Sequence, residues 1–242
     1  MPRPPAPKVS PQPAPSGPPI ALIGGVAVAL VAVVALLVYL ATRGDGLDAA
    51  GPANALPEGG GVVVAGAAEG APQVHLYEDF QCPGCGVLEE VSGAAIIAAA
   101  DSGEIGLTVT MMSFLDGTLG NDSSGRATNA ALCADDAGAF AGYHGAVFAA
   151  QPEQEGTGWT DEQLVGFAEA AGLQDGELES FRTCMTQGTY TDYVADMQER
   201  ANREGVSGSP YVFVDGEALA DEDMFAMQQD PTAFEQILQA NR

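Results

Sequence analysis

Cys82-Pro83-Gly84-Cys85 falls where a strand-forming run gives way to a helical pattern, and no other feature constrains the fold as strongly. Val74-His75-Leu76-Tyr77 reads as a strand, and Leu88, Val91 and Ala95 recur at helical spacing behind the motif. Cysteines three apart in a first helical turn share a face, with Cβ atoms about 5–6 Å apart. A small backbone shift then brings them to disulfide geometry. Pro83 suits the first helical position, which makes Cys82 the N-cap. Its sulfur faces unpaired backbone N–H groups at the positive end of the helix dipole, and both favour thiolate over thiol. The thiolate is the attacking species in disulfide exchange. Cys82 is thus the candidate nucleophile, and Cys85 the thiol that resolves a mixed disulfide.

Other uses of a Cys-x-x-Cys pair are weighed against this one. Structural zinc needs four ligands, but the remaining cysteines are isolated and the two histidines far apart. A c-type haem needs His directly after the second cysteine, where Gly86 stands. An inert disulfide remains open, although so short a loop gains little stability from closure.

The flanking sequence divides the chain. Residues 1–19 hold 9 of the 16 prolines together with Arg3 and Lys8, a composition that stays extended and solvated. Ile20 to Ala41 carries no charge for 22 residues. At about 1.5 Å per residue this run is long enough for a hydrocarbon core of about 30 Å. It exceeds a signal peptide's apolar region and lacks a small-x-small ending, so an uncleaved single-pass transmembrane helix is expected. Arg3 and Lys8 precede it and Arg43 follows, which favours a cytoplasmic N-terminus and an exported C-terminal part. Residues 42–60, rich in Gly, Pro and Ala, read as a tether. Residues 61–242 read as the globular domain.

Within that domain Val62-Val63-Val64 and Ile105 to Met112 read as further strands. From about 122 to 204 the pattern is helical. Phe140, Tyr143, His144, Val147 and Phe148 form an apolar stripe, and Thr160-Asp161-Glu162-Gln163 is a capping box. Tyr190, Tyr193, Val194, Met197 and Ala201 mark a further helix, which ends at Gly205. Ser209-Pro210 then leads into Tyr211-Val212-Phe213-Val214, and Asp215-Gly216 turns the chain back through Glu217 to Ala220 as a hairpin. A final helix is expected from Asp230-Pro231, with Phe234, Ile237 and Leu238 on one face. The order is β-β-α-β, a helical block, then β-β-α: an α/β fold with an all-helical insertion.

Tyr77-Glu78-Asp79-Phe80-Gln81-Cys82-Pro83-Gly84-Cys85 and Gly205-Val206-Ser207-Gly208-Ser209-Pro210 resemble the signature segments of the DsbA-like thiol–disulfide oxidoreductases. These are thioredoxin-fold proteins carrying an inserted helical domain, and the membrane anchor resembles the exported members found in high-GC Gram-positive bacteria. The resemblance implies that Cys82 attacks, Cys85 resolves and the peptide bond before Pro210 is cis. Pro210 then lies against the cysteine pair, and the backbone of Ser209 is free to pair with an extended client. Pro83 and Gly84 complete the active-site turn. The redox-active Cys82–Cys85 disulfide replaces any cofactor, and no metal is implied. The implied partners are unfolded or reduced exported proteins and a membrane quinone-linked reoxidase.

The chain departs from that family in two places. Many thioredoxin-fold relatives have an acid six residues before the first cysteine, where this chain has Leu76. Glu78 shares the Leu76 face by strand alternation and is the candidate substitute; otherwise it is a solvated strand-end charge. Pro-Gly between the cysteines lacks the histidine of the strongest oxidants.

Cys133 and Cys184 lie 51 residues apart in the helical block. They are either packed free thiols or, as an exported compartment favours, a structural disulfide. His144 and His75 read as packed structural residues. The net charge of −25 argues against nucleic acid as a partner. Two function classes remain: an enzyme that exchanges, and by preference introduces, disulfides in exported proteins, or a membrane-tethered binding or chaperone module stiffened by its cysteines. Isomerase and reductase are the variants within the first class.

Overall fold

The computed structural model describes residues 49–240. The expected proline-rich tail and transmembrane helix lie outside the described residues, as does the start of the tether.

Strands β1 (Val62–Ala65), β2 (Gln73–Glu78), β3 (Gly106–Met111), β4 (Tyr211–Val214) and β5 (Glu217–Ala218) form one sheet in the order β1-β3-β2-β4-β5. β2 is central. It runs parallel to β3, with Leu76 opposite Val109, and antiparallel to β4, with Leu76 opposite Val212. A central strand is covered on both faces, which is why Val74, Leu76, Tyr77 and Glu78 are all buried. The β2-to-β3 crossover is a helix with a π turn inside it: α1 (Pro83–Leu88), the turn Glu89–Gly93 and α2 (Ala94–Asp101). By length and composition Pro83–Asp101 would pass as a membrane span. Its Cys85, Leu88 and Ile96 are buried in one core with Val62, Val74 and Leu107 of the sheet, so it is the core helix of the domain.

The insertion between β3 and β4 contains α3 (Phe114–Leu119), α4 (Ser123–Asp135), α5 (Phe140–Ala149), α6 (Asp161–Ala170), α7 (Asp175–Gln187) and α8 (Thr191–Arg203). All five residues of the aromatic stripe on α5 are buried. The capping box at the head of α6 is formed: Gln163 N donates to Thr160 Oγ1, and Thr160 N to Gln163 Oε1. Cys133 of α4 and Cys184 of α7 are joined by a disulfide, S–S 1.96 Å. In the hairpin, Asp215 and Gly216 both have positive φ, 52° and 83°, as a two-residue turn of the mirror-image type demands.

Two segments differ from the expectation. Residues 49–60 are laid onto the domain rather than free of it. Ala49 N donates to Asp196, Asn54 to Asp135 through both backbone and side chain, and Ala55 pairs with Val62. The Tyr193 hydroxyl donates to the Leu56 and Gly61 carbonyls. Gly, Pro and Ala supply no apolar period to announce this docking, because α4 and α8 make it by receiving backbone N–H groups. The C-terminal part holds two helices instead of one, α9 (Asp221–Met227) and α10 (Ala233–Ala240). Asp230 accepts from Thr232 N and forms a turn ahead of α10, which starts at Ala233, two residues later than a cap at Asp230 suggested. α9 is too short for its periodicity to stand out.

Candidate active site

β2 ends at Glu78, and after three intervening residues the chain enters α1 with Cys82 as N-cap, in extended backbone conformation, and Pro83 at the first helical position. The intervening turn is set by polar groups. Asp79 is wholly buried and accepts from Gln81 N, Leu115 N and Ser124 Oγ. The Gln81 amide donates to Asp116, Asn121 and Ser124. From the helical insertion, Gln151 Nε2 donates to the carbonyls of Phe80 and Cys82 at 2.8 and 2.9 Å. From the other side, Gln228 donates to the Gly84 carbonyl. Asp79, Gln81, Gln151 and Gln228 were not singled out in the sequence. Polar side chains carry no apolar period, and only the cluster before Cys82 hinted at the first two.

Cys82 and Cys85 are both free thiols and both buried, Cys85 completely. The Ser209-Pro210 peptide bond is cis, and the Cys82 thiol donates to the Ser209 carbonyl at 3.3 Å. A Cβ added to Gly84 would stand 3.2 Å from Pro210 Cδ and 3.7 Å from Cys82 Sγ, so proline, glycine and sulfur lie against one another. The structure therefore gathers Cys82, Pro83, Gly84, Cys85, Ser209 and Pro210. The Cys133–Cys184 disulfide belongs to the insertion.

The two thiols are electrostatically unlike. A hydrogen bond from the Cys85 thiol lowers the Cys82 pKa against the opposing effect of burial. The Ser209 side chain and the backbone N–H groups of Cys85 and Gly84 lower it further, to about 6. Ser209 Oγ is buried with no hydrogen-bond partner among the described residues, which leaves it available to the thiolate. Burial instead pushes Cys85 well above the ordinary thiol range, and the hydrogen bond to Cys82 and the charges of Glu78 and Cys82 push it the same way.

Glu78 is fully buried, which excludes its reading as a solvated strand-end charge. Burial raises its pKa to about 8, with the Cys82 charge adding to the shift. Its Oε2 lies 2.8 Å from His144 Nε2, so His144 is a stripe residue with a polar partner as well as a packed one. His144 Nδ1 is 3.8 Å from Glu89 Oε2. Leu76, six residues before Cys82, is an apolar core residue. His75 points to the other face, where it meets Thr110 and stacks on Tyr77.

Glu78, Glu89 and His144 are the group of metal-ligating side chains whose donor atoms converge among the described residues, all within 4.8 Å of one another. Two ligands of one tetrahedral zinc stand about 3.3 Å apart, given bonds of about 2.0–2.1 Å. The 2.8 Å between Glu78 and His144 is the spacing of a shared proton.

The sequence matches the thioredoxin family over residues 59–240. No curated protein matches it by sequence. The fold resembles that of MdbA, a thiol-disulfide oxidoreductase from Actinomyces oris, at 21% identity over 81% of this chain and 97% of that one, TM-score 0.67. MdbA from Corynebacterium diphtheriae is 23% identical over 78% of this chain and 93% of its own, TM-score 0.61. Oxidised DsbA of Mycobacterium tuberculosis is 25% identical over 74% and 95%, TM-score 0.56. The family match takes in the sheet, the cysteine pair and the helical insertion together, and the chain belongs to the thioredoxin family, with a fold like that of DsbA.

Proposed function

We propose that the protein is a membrane-anchored thiol–disulfide oxidoreductase that works outside the cytoplasm and introduces disulfides into reduced, unfolded exported proteins. The observation that carries this reading is the asymmetry of the pair: Cys82 is lowered to about 6 while burial drives Cys85 up. A client thiolate attacks Cys82 Sγ of the disulfide form. The Cys82–Cys85 bond breaks and its electron pair leaves on Cys85, which takes a proton. A second client thiolate attacks the client sulfur of the mixed disulfide, and Cys82 departs as a thiolate that needs no proton at neutral pH. The client has lost two electrons and the enzyme has gained them, for return to a quinone-linked partner in the membrane.

Stabilising the Cys82 thiolate favours the reduced enzyme over its disulfide, which makes the disulfide a donor. The cis-Pro210 loop leaves the Ser209 backbone beside Cys82 for an extended client segment. Support for the location comes from the uncharged 20–41 run, with Arg3 and Lys8 before it.

The test mixes oxidised protein with a reduced, unfolded client and follows client disulfides and the redox state of the pair. Net transfer to the client, abolished by Cys82→Ser, is expected. An equilibrium near the thioredoxin potential of about −270 mV would make the protein a reductase, the variant that the absence of a histidine between the cysteines favours. A client effect that survives Cys82→Ser would make it a binding module.

A further inference from the structure

We propose that Glu78, His144 and Glu89 form a proton relay between the buried cysteine pair and an open groove beside the helix that carries it. The inference deepens the disulfide-exchange reading and rests on it. That chemistry expels a thiolate at Cys85, which has no exposed surface on which to meet a proton from solvent. Glu78 is equally buried, and its two oxygens differ. Oε2 pairs with His144 Nε2 at 2.8 Å, while Oε1 has no hydrogen-bond partner among the described residues. Cys82 raises Glu78 and Glu78 raises Cys85, so the carboxyl and the sulfurs feel one another's charge. On the far side of the imidazole, Nδ1 stands 3.8 Å from Glu89 Oε2. Glu89 and His144 both reach the wall of a groove of about 1050 Å³, with Val87, Phe148 and Gln151. Rotation of the Glu89 side chain, or one groove water, spans the 3.8 Å step.

The groups facing the relay come from four elements: Glu78 from β2, Cys82 and Cys85 from the active-site turn and α1, Glu89 from the π turn, and His144 from α5. Glu90, Asp101 and Glu153 line the groove beyond them. Burial raises Glu78 to about 8 and Glu89 to about 7 and lowers His144, so near neutral pH Glu78 holds its proton, Glu89 exchanges its own readily and the imidazole is uncharged.

When the client breaks the disulfide, the Glu78 Oε1 proton reaches Cys85 Sγ by way of a bridging water, because no direct hydrogen bond joins the two groups. His144 passes its Nε2 proton to Glu78 Oε2 and receives another at Nδ1 from Glu89. Glu89 is left as a carboxylate and recovers its proton from the groove. The net change is one proton from solvent to Cys85, with the imidazole left as the other tautomer. Reoxidation runs the transfers backwards and restores the first tautomer, so each cycle resets the relay without a ring flip. His144 and Glu89 act through Glu78 and touch no reacting sulfur; they are positioning residues.

The test is reduction of the oxidised protein by dithiothreitol, followed by stopped flow across pH 5–9, in wild type, His144→Gly, His144→Gln and Glu89→Gln. The variants should lose on the order of tenfold to a hundredfold in the step that releases Cys85 near neutral pH. Added imidazole should restore His144→Gly through the groove and leave His144→Gln slow. The Cys82 titration should remain close to wild type, which a merely structural role of His144 would not predict. Wild-type rates in both Glu89→Gln and His144→Gln would overturn the relay while the oxidoreductase reading stands. So would slowing that imidazole leaves unrescued, accompanied by a displaced Cys82 midpoint. A wild-type protein that exchanges no disulfide with the dithiol would instead remove the oxidoreductase reading, and the relay with it.

Discussion

Gln151 donates to the carbonyl of Cys82 at 2.9 Å, so a residue just beyond α5 holds the backbone of the cysteine at the head of α1. The same amide takes the Phe80 carbonyl, and a Cβ on Gly86 would stand 2.3 Å from Gln151 Oε1. Gln151→Ala leaves two carbonyls without this donor and should cost about 1–3 kcal/mol. Gly86→Ala displaces the same side chain, so the double variant should cost less than the two single costs combined. Denaturant midpoints for the four proteins check this, and strict additivity would break the link.

Cys82 should titrate near 6 and alkylate well before Cys85. Its folded pKa lies below the ordinary value of 9.0, so its contribution to the stability of the reduced protein is complete above 9.0 and is lost as pH falls through about 6. Near-ultraviolet thiolate absorbance gives the midpoint, and unfolding of the reduced protein across that window gives the linkage. Ser209→Ala should move the midpoint upward, because the hydroxyl is one of the groups that lower it.

Glu78→Gln should make the domain more stable than wild type at alkaline pH. Burial raises the Glu78 pKa from 4.5 to about 8, so the folded state is favoured most fully below 4.5 and that advantage is lost as pH rises through about 8. Glutamine removes this dependence and retains an oxygen and an amide to meet His144. Stability curves of wild type and variant should diverge progressively from pH 4.5 and run parallel above 8; curves parallel throughout would refute the burial of an ionisable group there.

Replacing Cys133 and Cys184 together by alanine opens a 51-residue loop and should cost about 4 kcal/mol by chain entropy. The disulfide lies in the helical insertion, so the Cys82 midpoint should not move. Chemical denaturation and thiol titration of the same variant separate the two effects.

The elements were legible in the sequence wherever a local rule governed them. Thr160 and Gln163 form their capping box within four residues, Asp215-Gly216 makes its own turn, and the α5 stripe needs only helical periodicity. Cys82 at an N-cap is local as well. The disulfide between Cys133 and Cys184 was favoured only through the expected compartment, because the local sequence does not record how α4 and α7 pack. The docking of residues 49–60 was missed, since its hydrogen-bond acceptors, Asp135 and Asp196, come from distant helices.

By itself the sequence determined that Cys82 caps a helix with Cys85 one turn inside it, and in what order strands, insertion and hairpin follow one another, because helix caps, turn residues and side-chain periodicity act over a few positions. Tertiary structure alone decided the environment of the site. For Glu78 the sequence left two readings open, a substitute acid on the Leu76 face or a solvated strand-end charge. Glu78 becomes a neutral carboxyl because α5, 66 residues later, sets His144 against it and seals off water. The Cys82 thiolate likewise depends on the Ser209-Pro210 loop folding back from 127 residues away. Desolvation and hydrogen bonding act through space, and a linear pattern of residue types does not record which distant side chain will arrive.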